Sequence, residues 1–455
     1  MNKPDIKIFA ENVEQGALDD IEALANCPVN SGKKLRFMPD CHKGVTVPIG
    51  TSIPIDLDNP NEAINPGTVG CDIGCTVSAT FFDAPMLPEK MTLFEHRIRR
   101  DIPFGFDIND KSDYDRNELY KRINSNMDKL VSAHPSFKDF AVRVYCDEDM
   151  AKWCHRIEIK EKMFFDSLPS VGGGNHFVEY DENPELGKYA VLVHCGSRNL
   201  GQKVFRYHKT IADLVKVSKT EHDMIVAKVK AKNADPHFLR DEIDAEVRRV
   251  QSTRIPGYLK GDALKMYVVD VLVAQTYAAF NHDLIHRKIS QIYRKLCKAR
   301  EVDHISSTHN YIDYDFEALD GTPHMMIRKG AIRSYLGERM IIPFNMRDGV
   351  AICSGKSNSD WNFTAPHGAG RVMSRAKAFE TLDVESFKKE MNDAGIYTTT
   401  ANSDTLDEAP EAYKSMDDIV RLIEPTAEVL FLLKPKMNIK AAEGRKTHKK
   451  SEQAG

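Results

Sequence analysis

The sequence predicts an α+β protein: one domain over residues 1–441, with a helical insertion at about 203–298 and a flexible C-terminal tail at 442–455. Three observations point to it. Sheet-type and helix-type patterning arrive in successive blocks, the order expected of α+β chains. No internal repeat breaks the chain into equivalent units. The segments with chemical character lie in the first, middle and last thirds, so a single site must draw on the whole chain, which favours one compact unit over independent modules.

The elements follow in order. From Lys34 to about Thr80 the short runs LRFMP, VTVPIGTSIPI and CTVSATFF alternate with Gly, Pro and Asp turns and read as sheet and loops. From about Lys90 to Phe165, charged residues spaced among Leu, Met and Phe read as helix. Sheet returns at Leu168–Cys195, where FVEY and YAVLVHC flank a turn-rich segment. The longest helical stretch, about Lys203 to Lys298, is interrupted by Pro236 and by Pro256-Gly257. A sheet-rich block spans Ile305 to about Ala365, and helices follow at Gly370–Ala394 and Ser415–Ile423. The tail Ala442–Gly455, with GRKTHKKSEQAG, has the composition of a solvated segment.

Composition narrows the function. With 455 residues, 42% hydrophobic and 29% charged, the chain can bury a large core. A net charge of -4 argues against an all-over basic binder but leaves room for a local basic cleft. No uninterrupted apolar run reaches the roughly 18 residues of a membrane span, and Met1–Asn12 lacks a secretory pattern, so a cytoplasmic protein without a membrane partner is expected. The nine cysteines are scattered and odd in number, which argues against a disulfide framework and leaves thiols for metal work.

The segment TAPHGAGRVMS (Thr364–Ser374) sets His367 against Gly368, Ala369 and Gly370, with Arg371 and Arg375 just beyond. Small residues beside an imidazole let backbone N–H groups approach a phosphate, and guanidinium groups can clamp a second anion. In the turn GCDIGC, Asp72 and Cys75 offer a carboxylate and a thiol three residues apart. His176, His194 and His309 sit at strand ends or in loops, where ligands project, while most of the sixteen histidines, including His96, His222 and His448, read as ordinary core or surface imidazoles. HCGSR (His194–Arg198) and RKGA (Arg328–Ala331, with Lys329) join basic groups to glycine. MPDCHKG supplies Asp40, a carboxylate able to orient an imidazole, and Gly172-Gly173-Gly174 a turn open to phosphate.

Taken in order, MPDCHKG, GCDIGC, GGGNHFVE, HCGSRNLG, THN, RKGA and HGAGRVMSRAKA, followed by EAPEAYK and LKPKMNIK, resemble the RtcB family of RNA-splicing ligases over most of the chain. The resemblance implies an RtcB-like fold whose core is packed β-sheets surrounded by helices. It implies a GTP- and Mn²⁺-dependent enzyme, with two ions per site, that joins RNA 2′,3′-cyclic phosphate or 3′-phosphate ends to 5′-hydroxyl ends. By position, His367 resembles the nucleophile that carries GMP, with Asp40 orienting its ring. Asp72, Cys75, His176, His194 and His309 resemble the metal ligands. Asn175, Glu179, His309, Asn310, Asn345, His367, Gly368, Ala369, Gly370, Tyr413 and Lys440 resemble the nucleotide contacts, and Arg198, Lys329, Arg371 and Arg375 the RNA contacts. A monomer served by an archease-like activator completes the expectation.

The sequence also departs from the family. Where many members read PGSMG, this chain has PFNMRDG (Pro343–Gly349), so hydroxyls near the guanine are missing. Thr76 replaces a glycine, and residues continue past Ala441, where members commonly end in Gly. Two alternatives stay open at this point: a 3′-phosphate end-capping enzyme that does not join efficiently, and a non-catalytic RNA-binding subunit.

Overall fold

The computed structural model describes residues 3–214, 217, 219–232, 236–252, 255–314 and 325–441, so the tail expected at 442–455 lies outside the described residues. The chain opens with β1 (Asp5–Ile8), α1 (Gln15–Asn26), β2 (Lys34–His42), β3 (Ile49–Pro54), β4 (Ala63–Ile64) and β5 (Thr76–Phe82). The expected helical block holds α2 (Pro88–Asp101), α3 (Arg116–Ala133), α4 (Asp147–Arg156) and α5 (Glu161–Asp166), and the hairpin β6 (Phe177–Asn183) and β7 (Lys188–Cys195) follows. Next come α6 (Asn199–Asp213), α7 (Lys219–Lys232), α8 (Pro236–Ser252), β8 (Leu259–Lys260) and α9 (Gly261–Cys297). Seven strands fill the next block: β9 (Glu301–Thr308), β10 (Asn310–Asp313), β11 (Met326–Lys329), β12 (Ala331–Arg333), β13 (Arg339–Asn345), β14 (Gly349–Gly355) and β15 (Thr364–Pro366). The chain then runs through α10 (Arg375–Thr381), α11 (Val384–Asp393), α12 (Met416–Leu422) and β16 (Ala427–Ile439).

Alternating apolar residues build the largest sheet, seven strands in the order β13-β14-β16-β6-β7-β5-β9, every neighbour antiparallel. In β7 both faces are apolar, because both are covered, whereas β5 turns Ser78 and Thr80 toward His282 and His286 of α9. Val77, Ala79, Phe81, Ala190 and Leu192 share one core with Ile341, Val350 and Leu433. Phe82, Val191 and Val193 face the other way, onto Phe94 and Ile98 of α2 and Ile285, Ile289 and Tyr293 of α9. The two edge strands β9 and β13 touch each other, so the sheet is curled. A second, five-stranded sheet has the order β1-β2-β3-β11-β10, with only β1 and β2 parallel.

The expected helical stretch divides. In α9, 24 of 37 residues are buried, so it is a core element, each Val, Leu or Ile contributing roughly 1.5–3 kcal/mol by leaving water. By length and composition it is apolar enough to cross a membrane, but its apolar surface is taken up by the protein's own sheets and helices. By contrast α7 and α8 pair chiefly with each other.

Candidate active site

Strand register brings the expected ligands to one end of the curled sheet. Thr76, the first residue of β5, pairs with Cys195 on one side and Thr308 on the other, so Cys75 and His309 emerge side by side at the strand ends. His176 precedes Phe177, which pairs with His194. Period-two alternation along β7 places His194 on the Ala190–Leu192 face and Cys195 on the opposite one.

At this end Cys75 Sγ lies 3.2 Å from His194 Nε2 and 3.4 Å from His176 Nε2. His194 Nε2 is 3.4 Å from His309 Nε2, and His176 Nε2 is 3.0 Å from Asp72 Oδ2. His194 Nδ1 donates to the Asn175 carbonyl at 3.1 Å, and since a carbonyl only accepts, the neutral ring presents a bare lone pair at Nε2. Burial, with the His176 and His309 rings close by, keeps His194 neutral, its pKa well below the usual histidine range. Burial disfavours the Asp72 carboxylate, but the His176 ring beside it holds it down at about 2. Burial and the Asp72 charge push the Cys75 thiol well up. Sulfur, imidazole lone pairs and a carboxylate converging within hydrogen-bond range, with few donors among them, form a set that suits a cation, and Cys75, His176 and His194 meet the geometric requirement for a metal site.

His367 stands beside this cluster, its ring centroid 5.0 Å from that of His309. Fully buried Asp40 accepts from both the His367 backbone N–H at 3.1 Å and Nδ1 at 2.5 Å through one oxygen, Oδ2. The carboxylate thus fixes hydrogen on Nδ1 and leaves the lone pair at Nε2. Gly370 makes this possible: at φ +73°, a Cβ there would lie 2.4 Å from the Asp40 carbonyl.

A cleft of about 510 Å³ opens over these groups. Asn175, Glu179, His194, His309, Asn345, His367, Gly368, Ala369, Gly370, Arg371, Arg375, Tyr413 and Lys440, all expected from the sequence, line it. At its inner end Glu408 gathers the basic groups: its oxygens lie 2.6 Å from Arg375, 3.6 Å from Arg371 and 3.3 Å from Lys440, and Tyr413 Oη donates to it at 2.7 Å. Burial works against the Glu408 carboxylate, but Lys440, Arg375 and Arg371 outweigh it and hold it at about 2. Glu179 accepts from Asn438 Nδ2, and burial lifts it to about 7. Asp181, two residues along the same face of β6, is fully buried, and burial with Glu179 close by raises it well above the carboxylate range.

The family model described as tRNA-splicing ligase RtcB matches residues 20–441. The chain belongs to the RtcB family. It is 26% identical over 438 residues to the tRNA-splicing ligase RtcB of Nanoarchaeum equitans, covering 86% of this chain and 84% of that protein. The RNA-splicing ligase RtcB of Escherichia coli K12 is 24% identical over 429 residues, 90% of each chain. The RNA-splicing ligase RtcB homolog 2 of Entamoeba dispar is 24% identical over 448 residues, 89% of this chain and 80% of that one. The α+β fold around curled sheets is therefore that of an RNA ligase family.

Within this RtcB-family site, three expected contacts lie off the cleft wall. Asn310 accepts the Gly330 N–H at 2.8 Å and so fastens the β10–β11 end. Lys329 donates to the Gly67 carbonyl at 2.9 Å, and burial lowers it to about 8. Arg198 donates to Ser170 Oγ at 2.9 Å and to the Gly105 carbonyl, beside the His176 ring: a Cβ on Gly172 would meet both His176 Nδ1 and Arg198 Nη1. Arg371 and Arg375 line the cleft with their guanidinium groups already bonded to Asp407 and Glu408. Asn345 lines it too, but its amide donates to Asp348 at 2.7 Å and its oxygen accepts from the backbone of Arg347 and Asp348. Glu408, Asn438 and His42 are cleft residues that sequence reasoning does not single out, although Glu408 and His42 stand inside the matching segments EAPEAYK and MPDCHKG.

Proposed function

We propose that this RtcB-family chain is a GTP- and Mn²⁺-dependent ligase that joins RNA 2′,3′-cyclic phosphate or 3′-phosphate ends to 5′-hydroxyl ends in RNA splicing or repair. The observation that carries the reading is His367, held by Asp40 with Nε2 bare, in a cleft that is also lined by His194 of the cation-type cluster of Cys75, His176 and His194. Asp72, Cys75, His176, His194 and His309 would hold two Mn²⁺ with Cys75 shared, and bound metal supplies charge that neutralises phosphate oxygens. The donor types alone suit zinc equally, so the choice of manganese rests on the family resemblance.

In this reading His367 Nε2 attacks the α-phosphorus of GTP, the N–P bond forms and the bond to pyrophosphate breaks. Asp40 Oδ2 accepts from Nδ1–H throughout and stabilises the positive ring. The RNA 3′-phosphate then takes GMP from His367, giving RNA-(3′)pp(5′)G, and the 5′-hydroxyl displaces GMP to seal the strand. Glu179 accepts from the N1–H and N2–H₂ donors of guanine, Lys440 donates to O6 and Tyr413 stacks on the ring. Arg198, Arg371 and Arg375 face RNA phosphates. A cytoplasmic monomer served by an archease-like activator belongs to the same proposal, on composition and family resemblance alone.

The test is incubation with labelled GTP and Mn²⁺, followed by RNA bearing a 3′-phosphate and a 5′-hydroxyl. An acid-labile protein–GMP adduct is expected in the native protein and absent in His367→Ala, with joined RNA as product. An adduct surviving in His367→Ala would overturn the assignment, and guanylylated RNA that is never joined would identify an end-capping enzyme instead.

A further inference from the structure

Four histidines line the main cleft: His42, His194, His309 and His367. Two stand in the cation cluster and one is the nucleophile, so His42 is the imidazole for which the reaction above has no role. It is the last residue of β2, two positions beyond Asp40, and it lies on the wall between the main cleft and a second one of about 470 Å³. Its Nδ1 lies 2.8 Å from the Asp40 backbone carbonyl, which accepts only, so Nδ1 carries the hydrogen. Burial keeps this ring neutral, lowering it to about 4 against the pull of Asp40. Its Nε2 is therefore a bare acceptor, without a hydrogen bond among the described residues and still in reach of solvent. Asp40 thus holds two imidazoles in the same tautomer, His367 through its carboxylate and His42 through its carbonyl. Lys414 Nζ, bonded to the carbonyls of Pro39 and Cys41 at 2.9 and 3.0 Å, stiffens the strand that carries both contacts. The carboxylates on the cleft wall each hold a partner already: Glu14 Oε1 the Lys43 N–H, Glu179 Oε2 the Asn438 amide, and Glu408 its cations, while Glu179 faces the guanine in the reading above.

We propose that His42 is a catalytic residue of the joining step, its Nε2 accepting the proton of the RNA 5′-hydroxyl as that oxygen attacks the guanylylated 3′-phosphate. The new bond is from the 5′ oxygen to the RNA 3′ phosphorus. The bond that breaks joins that phosphorus to the oxygen bridging it to GMP, and GMP leaves with the electron pair. The proton passes to His42 Nε2, and the resulting imidazolium keeps its Nδ1–H bond to the Asp40 carbonyl. This inference rests on the RNA-ligase reading. It adds a residue to the last of three chemical steps, the one that His367 does not perform.

The experiment supplies the full-length protein with synthetic RNA-(3′)pp(5′)G and a 5′-hydroxyl RNA, so that sealing is read without guanylylation. His42→Ala and His42→Gln are compared with the native protein, and the His367 adduct from labelled GTP is measured in parallel as proof of a folded site. Sealing should fall about 10²–10⁴-fold in His42→Ala, far more than adduct formation, and added imidazole should restore part of the sealing rate. Sealing within a few-fold of native in both variants overturns the proposal. So does a parallel loss of sealing and adduct with no imidazole rescue, which would make His42 a support for Asp40. A native protein that forms no adduct and seals nothing overturns the ligase reading and this inference with it, whereas an active native protein with unaffected variants overturns His42 alone.

Discussion

Asp40 offers one oxygen to two N–H groups of His367 while its other oxygen, Oδ1, is buried without a partner. An acceptor in that place cannot be replaced by an amide, which has a donor to dispose of and binds the wrong tautomer of the ring. Asp40→Asn should therefore slow formation of the His367–GMP adduct by about 10²–10⁴-fold while metal content is unchanged. Quench-flow with labelled GTP, beside elemental analysis, measures both; an adduct rate within threefold of native would remove Asp40 from the mechanism. Base choice is also decided by single residues. Where the family carries hydroxyls, this chain offers Pro343, Phe344 and Met346 to the cleft, and the amide of Asn345 is consumed by its own turn. Losing one hydrogen bond to guanine costs roughly 0.5–1.5 kcal/mol, so selectivity for GTP over ATP should drop by about tenfold at most, with GTP still preferred. Rates of His367 nucleotidylation at equal GTP and ATP decide it, and preference for ATP would mean that Glu179 and Lys440 do not read the base. Thirteen of the expected positions line the cleft. Asn175, Glu179, Asn345, Tyr413 and Lys440 were expected only through the family resemblance, while His367 with Gly368, Ala369 and Gly370 was legible from local chemistry, an imidazole beside small residues. Glu408 was not, since the cations that define it, Arg371, Arg375 and Lys440, are more than thirty residues away in the chain. Asn310 and Lys329 occupy a strand end whose backbone needs them first.

At the scale of elements, the block pattern located most sheets and helices but neither β1 and α1, which precede Lys34, nor β16, a 13-residue strand inside the largest sheet. Its polar residues, Lys434 and Lys436 around Pro435, disguise it. Pro435 is tolerated because the pairing with β6 shifts register between Pro435 and Met437, where no ladder bond is required of it. In α9, patterning showed a helix but not that its one deeply buried charge is a fastening point. Asp270 is fully buried and accepts from Trp153 Nε1 at 2.8 Å, from Arg156 at 2.5 and 2.9 Å and from His208 Nε2 at 2.7 Å, tying α4 and α6 to α9. Burial disfavours this carboxylate, yet Arg156 and His208 hold its pKa well below the ordinary value. A depressed carboxylate stabilises the fold above its unfolded pKa of about 3.9, and that contribution fades as pH falls through the lowered folded value. Asp270→Ala, which strands the Arg156 charge, should destabilise the protein by about 3–5 kcal/mol near neutral pH. Urea unfolding at pH 7 measures it, and a loss under about 1 kcal/mol would mean that the network relaxes around the gap.

At the scale of the whole molecule, the site takes Asp40 and His42 from the five-stranded sheet, and Cys75, His176, His194 and His309 from one end of the seven-stranded sheet. His367 follows β15, and Lys440 follows β16. No portion of the chain holds the site alone, which supports our proposal that residues 1–441 act as one domain. The segment around α7 and α8 is the exception that the architecture allows. These helices pair with each other, and none of the described residues of either belongs to the apolar clusters of the core. The chain also returns to where it left, since the Gly257 N–H donates to the Ala212 carbonyl at 2.9 Å just before α6 ends. Replacing residues 215–254 by a short Gly/Ser linker should therefore leave a single thermal transition, displaced by only a few degrees, because closing a loop between ends already adjacent adds little entropy. Metal content and His367–GMP formation should be retained, since none of the described residues of that segment is an expected ligand or lines the cleft. Calorimetry of the shortened chain, with elemental analysis and the labelled-GTP adduct, tests the point. Two separate transitions, or loss of metal from a chain that still folds, would show that α7 and α8 hold the site together and are part of the core unit.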